Sequence, residues 1–98
     1  MITEHALLEV VPGRELEFVG AMEQAKTLIA GSPGFLSLRV ERCVERANCF
    51  LLLVEWETLE DHTQGFRGSP AYEKWRAALH HFYEPFPVVE HFEAVVTA

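Results

Sequence analysis

The chain has 98 residues, carries 15 acidic against 8 basic side chains, and has a net charge of −7. That length makes one small domain burying roughly 60–70% of its unfolded surface, and 49% hydrophobic residues exclude a disordered chain. The acidic balance argues against partners that present phosphate, nucleic acid and anionic membrane alike.

Residues 2–11 read as a first strand. Ile2, Ala6, Leu8 and Val10 share one face, interrupted by Glu4, while His5, Leu7 and Glu9 share the other. Pro12-Gly13 ends it. Residues 14–30 read as a helix whose stripe is Phe18, Met22, Ala25 and Ile29, closed by Gly31 and Pro33. Gly20 is a cost inside that helix and is expected to mark close approach of helix to sheet. Residues 35–45 form a second strand, with Leu36, Leu38 and Val40 on one face. Residues 48–57 form a third, with Phe50, Leu52, Val54 and Trp56 inward. The run FLLLVEW implies a strand covered on both sides. A two-residue turn at Arg46-Ala47 would set Cys43 opposite Phe50, turn the two thiols to opposite faces, and leave both cysteines as packing residues.

Thr58 and Asp61 have the spacing of a capping box for a short helix reaching Phe66, with Leu59, Thr63 and Phe66 as its stripe. His62 falls about 50° from that stripe, so its ring borders the space between helix and sheet. Ser69-Pro70 restarts a helix carrying Tyr72, Trp75, Leu79 and Phe82, which Pro85 and Pro87 end. His80 and His81 lie off this stripe and are expected in water. Residues 88–96 read as a last strand, with Phe92 on one side and Val89 and His91 on the other.

The order strand, helix, strand, strand, broken helix, strand fits a single α+β domain of ferredoxin-like βαββαβ type with a four-stranded antiparallel sheet. Right-handed crossovers put both helices on one face. The opposite face, expected to include His5, Leu7, Arg39, Leu51, Leu53, Val89 and His91, would expose an apolar patch that a second copy could cover. A homodimer is therefore expected. The charged N-terminal stretch and the lack of a long apolar run predict no membrane span and a cytoplasmic setting.

SPGF at 32–35, LLVEWETLEDHTQGFRGSP at 52–70 and PVVEHFE at 87–93 together resemble the antibiotic biosynthesis monooxygenase domain, across nearly the whole chain. The resemblance implies a dimeric α+β barrel. It also implies oxidation of a small phenolic or quinol substrate by O2 without metal, flavin or haem. His62 is the expected catalytic proton handler, with Phe66, Tyr72, Trp75, Trp56 and Tyr83 as substrate-binding residues. A haem-degrading branch of the superfamily uses an Asn, a Trp and a His at positions occupied here by Ala6, Phe66 and Trp75 or Arg76, which disfavours it. The competing reading is a non-catalytic module that holds a small ligand, or assembles, on the same barrel. No spacing for a metal site, phosphate loop or nucleophile elbow is present.

Overall fold

The computed structural model describes residues 1–98. Strand β1 (Ile2–Glu9) leads to helix α1 (Glu15–Ala30). Strands β2 (Phe35–Arg42) and β3 (Cys49–Trp56) form a hairpin. A short π-helical turn (Asp61–Phe66), helix α2 (Pro70–Leu79), a 3-10 turn (His80–Phe82) and strand β4 (Val89–Phe92) complete the chain. The four strands are all antiparallel, in the order β2-β3-β1-β4. This is the expected ferredoxin-like α+β fold.

Alternation along the strands builds the core. Ala6, Leu8 and Val10 from the first strand region and Phe50, Leu52, Val54 and Trp56 from β3 meet Phe18, Met22, Ala25 and Ile29 of α1. Trp75, Leu79 and Phe82 seal the other half, as their spacing predicts. Ser69 caps α2 by accepting a hydrogen bond from the Tyr72 N–H at 3.3 Å, with Pro70 in the first turn. Gly34, at φ +82°, immediately precedes β2, and a Cβ there would run into the Asp61 carboxylate; a side chain would push apart the start of β2 and the π turn.

Gly20 does not mark a close approach. It faces open space, with no atom within 4 Å of where a Cβ would sit. Gly20→Ala is accordingly expected to raise stability by about 0.5–1 kcal/mol, because alanine gains helix propensity without a clash. A chemical-denaturation midpoint at or below that of the parent would contradict this.

Two registers differ from expectation. The β2–β3 ladder runs through Arg42↔Phe50, and Cys43 N–H donates to the Cys49 carbonyl at 2.8 Å. Cys43 thus faces Cys49, not Phe50, and the turn spans residues 44–48. Two-residue hairpin turns need positive φ, and no non-glycine residue here adopts it, so Arg46-Ala47 cannot serve as one. Strand β4 is shorter than residues 88–96 and one residue out of the expected phase. Val89 pairs with Ala6 and His91 with Glu4, so both turn toward the helices, while Glu90 and Phe92 turn away. Valines at both 88 and 89 make the alternation ambiguous; pairing with β1 decides it.

Candidate functional site

The half of the sheet beneath α2 holds a buried polar row. Glu4 lies in phase with Ala6 and Leu8 and is only 5% exposed. Its Oε1 accepts a hydrogen bond from the Trp56 indole Nε1–H at 3.0 Å and lies 3.3 Å from His62 Nε2. His62 Nδ1 in turn lies 2.7 Å from His91 Nε2. The row Trp56–Glu4–His62–His91 therefore joins β3, β1, the π turn and β4.

Local chain chemistry aims His62 inward. The capping box forms: Asp61 N–H donates to Thr58 Oγ1, and Thr58 N–H to Asp61 Oδ2, each at 3.2 Å. Beyond it the backbone widens, and Arg67 N–H reaches the His62 carbonyl five residues back at 3.1 Å. The wider turn replaces the expected Leu59–Thr63–Phe66 stripe with His62 and Phe66, at 3% and 1% exposure, and leaves Leu59 39% exposed. The His62 ring stacks on Trp56, with centroids 5.3 Å apart.

Burial controls the protonation of this row. It depresses His62 to about 3, helped by the nearby Arg67 charge and by His91. It lowers His91 in the same sense, again with Arg67 contributing. Burial raises Glu4, although the Trp56 hydrogen bond and Arg67 pull the other way. Two hydrogen-bonding patterns satisfy the geometry. With Glu4 ionised, His62 Nε2–H donates to Glu4 and His91 Nε2–H donates to His62 Nδ1. With Glu4 protonated, its O–H donates to His62 Nε2, and His62 Nδ1–H donates to His91 Nε2. Shifting each proton one bond along the row, while the outer ring nitrogen of His91 takes up one proton from outside, converts the first pattern into the second. The two ring nitrogens of His62 serve different partners, so Glu4 and His91 do not converge on one point, and no cluster of three or more ligands suited to a metal ion occurs.

The row borders a cavity of about 260 Å³ between the sheet, the π turn, α2 and the segment after it. Glu4 and His62 form its polar wall. Ala6, Leu8, Leu52, Phe66, Tyr72, Trp75 and Val89 give apolar surface, and Arg67, His80, Tyr83, Phe86 and Pro87 complete the lining. Burial raises the Tyr83 phenol, with Glu4 adding to the effect, so it stays protonated as a donor. Of the residues singled out from sequence, His62, Phe66, Tyr72, Trp75 and Tyr83 come together here, whereas Trp56 sits behind the wall and holds Glu4. His80 is a correction. The 3-10 turn swings it against Phe86 (ring centroids 5.0 Å apart) and into the lining instead of into water. Glu4 and His91 are the members of the row that sequence reasoning misses. Glu4 carries a signal, a carboxylate in phase with a buried face; His91 is expected on the open face and lies on the helix side instead. A wider groove of about 410 Å³ between α1 and β2 has a rim of Glu23, Lys26, Arg39 and Arg42 and no comparable polar row.

Comparison with known proteins agrees with this architecture. The sequence model of the antibiotic biosynthesis monooxygenase family matches residues 1–78. The uncharacterized protein YczJ of Bacillus subtilis is 52% identical over 95 residues, spanning 97% of this chain and all of that protein. A crystal structure from Bordetella bronchiseptica named for the same family superposes with a TM-score of 0.92 at 32% identity, over 97% of each chain. A variant of SnoaB, a cofactor-independent oxygenase from Streptomyces nogalater, superposes at 0.78 over 98% of this chain and 94% of its own, with 20% identity, a likeness of fold. The chain belongs to the antibiotic biosynthesis monooxygenase family.

Proposed function

We propose that this protein is a cofactor-independent monooxygenase that oxidises a small phenolic or quinol-type substrate with O2. The observation that carries this reading is the hydrogen-bonded row Glu4–His62–His91 opening onto an apolar, aromatic-lined cavity. A cavity of about 150 Å³ already holds benzene, so about 260 Å³ admits a compact aromatic substrate. Phenolic substrates of this kind reduce O2 themselves once deprotonated. The protein then needs to remove a proton, exclude water and orient the ring.

The roles follow from the electrostatics. His62, depressed to about 3, is a poor proton acceptor by itself. Glu4, raised by burial, is the better matched base, and His62 with His91 passes its proton outward to the half-buried end of the row. Arg67, exposed at the cavity wall, offsets the charge of the phenolate that results. For a methylene substrate in tautomeric balance with a phenol, the carbanion takes up O2. One oxygen stays as the new carbonyl, and the other leaves with the two displaced hydrogens as water.

Oxygen uptake with a panel of hydroquinones and anthrone-type compounds tests the reading. Glu4→Gln should lower turnover by about 10²–10⁴-fold, the usual contribution of a positioned base. His62→Gln should lower it as well, by breaking the path to His91. Unchanged turnover in Glu4→Gln would remove the base from Glu4. Ligand-induced thermal shifts with no oxygen consumed across the panel would favour a binding module instead.

The same proposal includes a homodimer built on the open sheet face. Leu7 and Phe92 are 43% and 50% exposed there, beside Leu51 and Leu53. Glu55 Oε2 is buried on that face with no hydrogen-bond partner, although Thr3 donates to its other oxygen at 2.8 Å. A donor from a second copy would satisfy it. Sedimentation should give twice 11.2 kDa, and Leu53→Lys should give one chain. A parent protein that sediments as a single chain at micromolar concentration contradicts the dimer.

A further inference from the structure

The β2–β3 hairpin ends in two cysteines that the register brings face to face. Just beyond Arg42↔Phe50, the last pair of the ladder, the Cys43 N–H donates to the Cys49 carbonyl at 2.8 Å and holds the two residues opposite each other. Residues directly opposite in an antiparallel pair point to the same side, and both thiols line one depression on the open sheet face with Leu7 and Leu51. Such pairs have Cα atoms about 4.5–5.5 Å apart, inside the roughly 4.4–6.8 Å span of disulfides. Both thiols are free.

The surroundings divide the chemistry between them. Cys43 is partly exposed, and its S–H points to the Glu45 carboxylate at 3.6 Å. Cys49 is buried, and Arg46 reaches back from the turn to donate to its sulfur at 3.4 Å while its other arm holds Glu9 at 3.1 Å. Burial holds the Cys49 thiol up, against the Arg46 charge, which keeps it unreactive toward reagents in solution. The turn that links them lies open to solvent, with Val44 95% exposed.

We propose that Cys43 and Cys49, at the hairpin end of the open sheet face, four residues along β3 from Leu53 and left open by the dimer proposed above, are a reversible dithiol–disulfide site that takes a low-molecular-weight disulfide as its oxidant. The Cys43 thiolate attacks one sulfur of the small disulfide, and the first small thiolate leaves. The Cys49 thiolate, with Arg46 beside it, then attacks Cys43 Sγ and expels the second. Two protein thiols are oxidised, one small disulfide is reduced, and the two protons end on the released thiols. The product ties the hairpin end beside the Arg46–Glu9 contact that links it to β1.

Equilibrating the full chain in glutathione buffers of rising oxidised fraction, then alkylating and weighing it intact, tests this. The parent should pass from two alkylated thiols to none, with a mass lower by two hydrogens and no dependence on protein concentration. Cys43→Ser and Cys49→Ser, checked for native circular dichroism, should form no intrachain link and at most one glutathione adduct. Two alkylatable thiols persisting in the most oxidising buffer would overturn the proposal. So would a stable glutathione adduct, or a disulfide-linked dimer, as the parent's end product.

Discussion

Trp56→Ala is expected to lower the melting temperature by at least about 15 °C. Trp56 is fully buried, and its ring packs edge-on to Phe35 at 6.0 Å, against His62 at 5.3 Å and against Phe66 at 6.0 Å. Removing a buried tryptophan side chain costs about 3–5 kcal/mol. The change also takes away the N–H that Glu4 accepts, and a buried polar group deprived of its partner costs about 1–3 kcal/mol more. Domains of this size have about 5–15 kcal/mol in all, and each kcal/mol moves the midpoint by about 4–8 °C. Trp56→Phe separates the two contributions. It keeps most of the volume and ring contact but loses the donor, so its cost should fall near the smaller figure. Thermal unfolding of both variants by circular dichroism checks the pair. A Trp56→Ala midpoint within a few degrees of the parent would mean that this ring does not anchor the site.

The same tryptophan shows what a sequence can and cannot convey. Its place on the inner face of β3 was legible because Glu55 and Glu57, at the alternate positions, mark the other face as the outer one. The stripes Phe18–Met22–Ala25–Ile29 and Trp75–Leu79–Phe82 were legible for the equivalent reason at period 3.6. Its role was not, because the partner of its N–H is Glu4, a contact across 52 residues that no local pattern encodes. The errors share one physical source, local geometry that departs from ideal period. A π-helical turn returns after about five residues, so a wheel drawn at 100° per residue puts His62 beside the stripe instead of on it. A five-residue turn where two were expected reversed the relation of Cys43 to Cys49. A four-residue strand carrying valines at both 88 and 89 left β4 free to slip by one, which hid His91. The first and third of these slips lie in the polar row.

That row also makes stability depend on pH. His62 is held near 3 in the folded protein, against about 6.5 unfolded, so between these values the unfolded chain binds the extra proton. Its contribution is therefore fully present above about pH 6.5 and is lost as the pH falls toward 3, by up to about 1.4 kcal/mol per unit. His80 and His91, both lowered by burial, act with the same sign. Glu4 acts oppositely. Burial raises it from 4.5, so the folded chain keeps its proton to higher pH, and acidification through that interval favours the fold. The parent should lose stability in acid, with Glu4 offsetting part of the loss. Urea midpoints across about pH 7.5 to 4.5 would resolve the two effects. His62→Gln should flatten the decline, since the unfolded chain then lacks that proton site. Glu4→Gln should steepen it, since the offset is gone. Parallel declines in the parent and in His62→Gln would show that His62 is not the group whose burial sets acid sensitivity. They would also remove the electrostatic reason for assigning the base to Glu4 instead of His62.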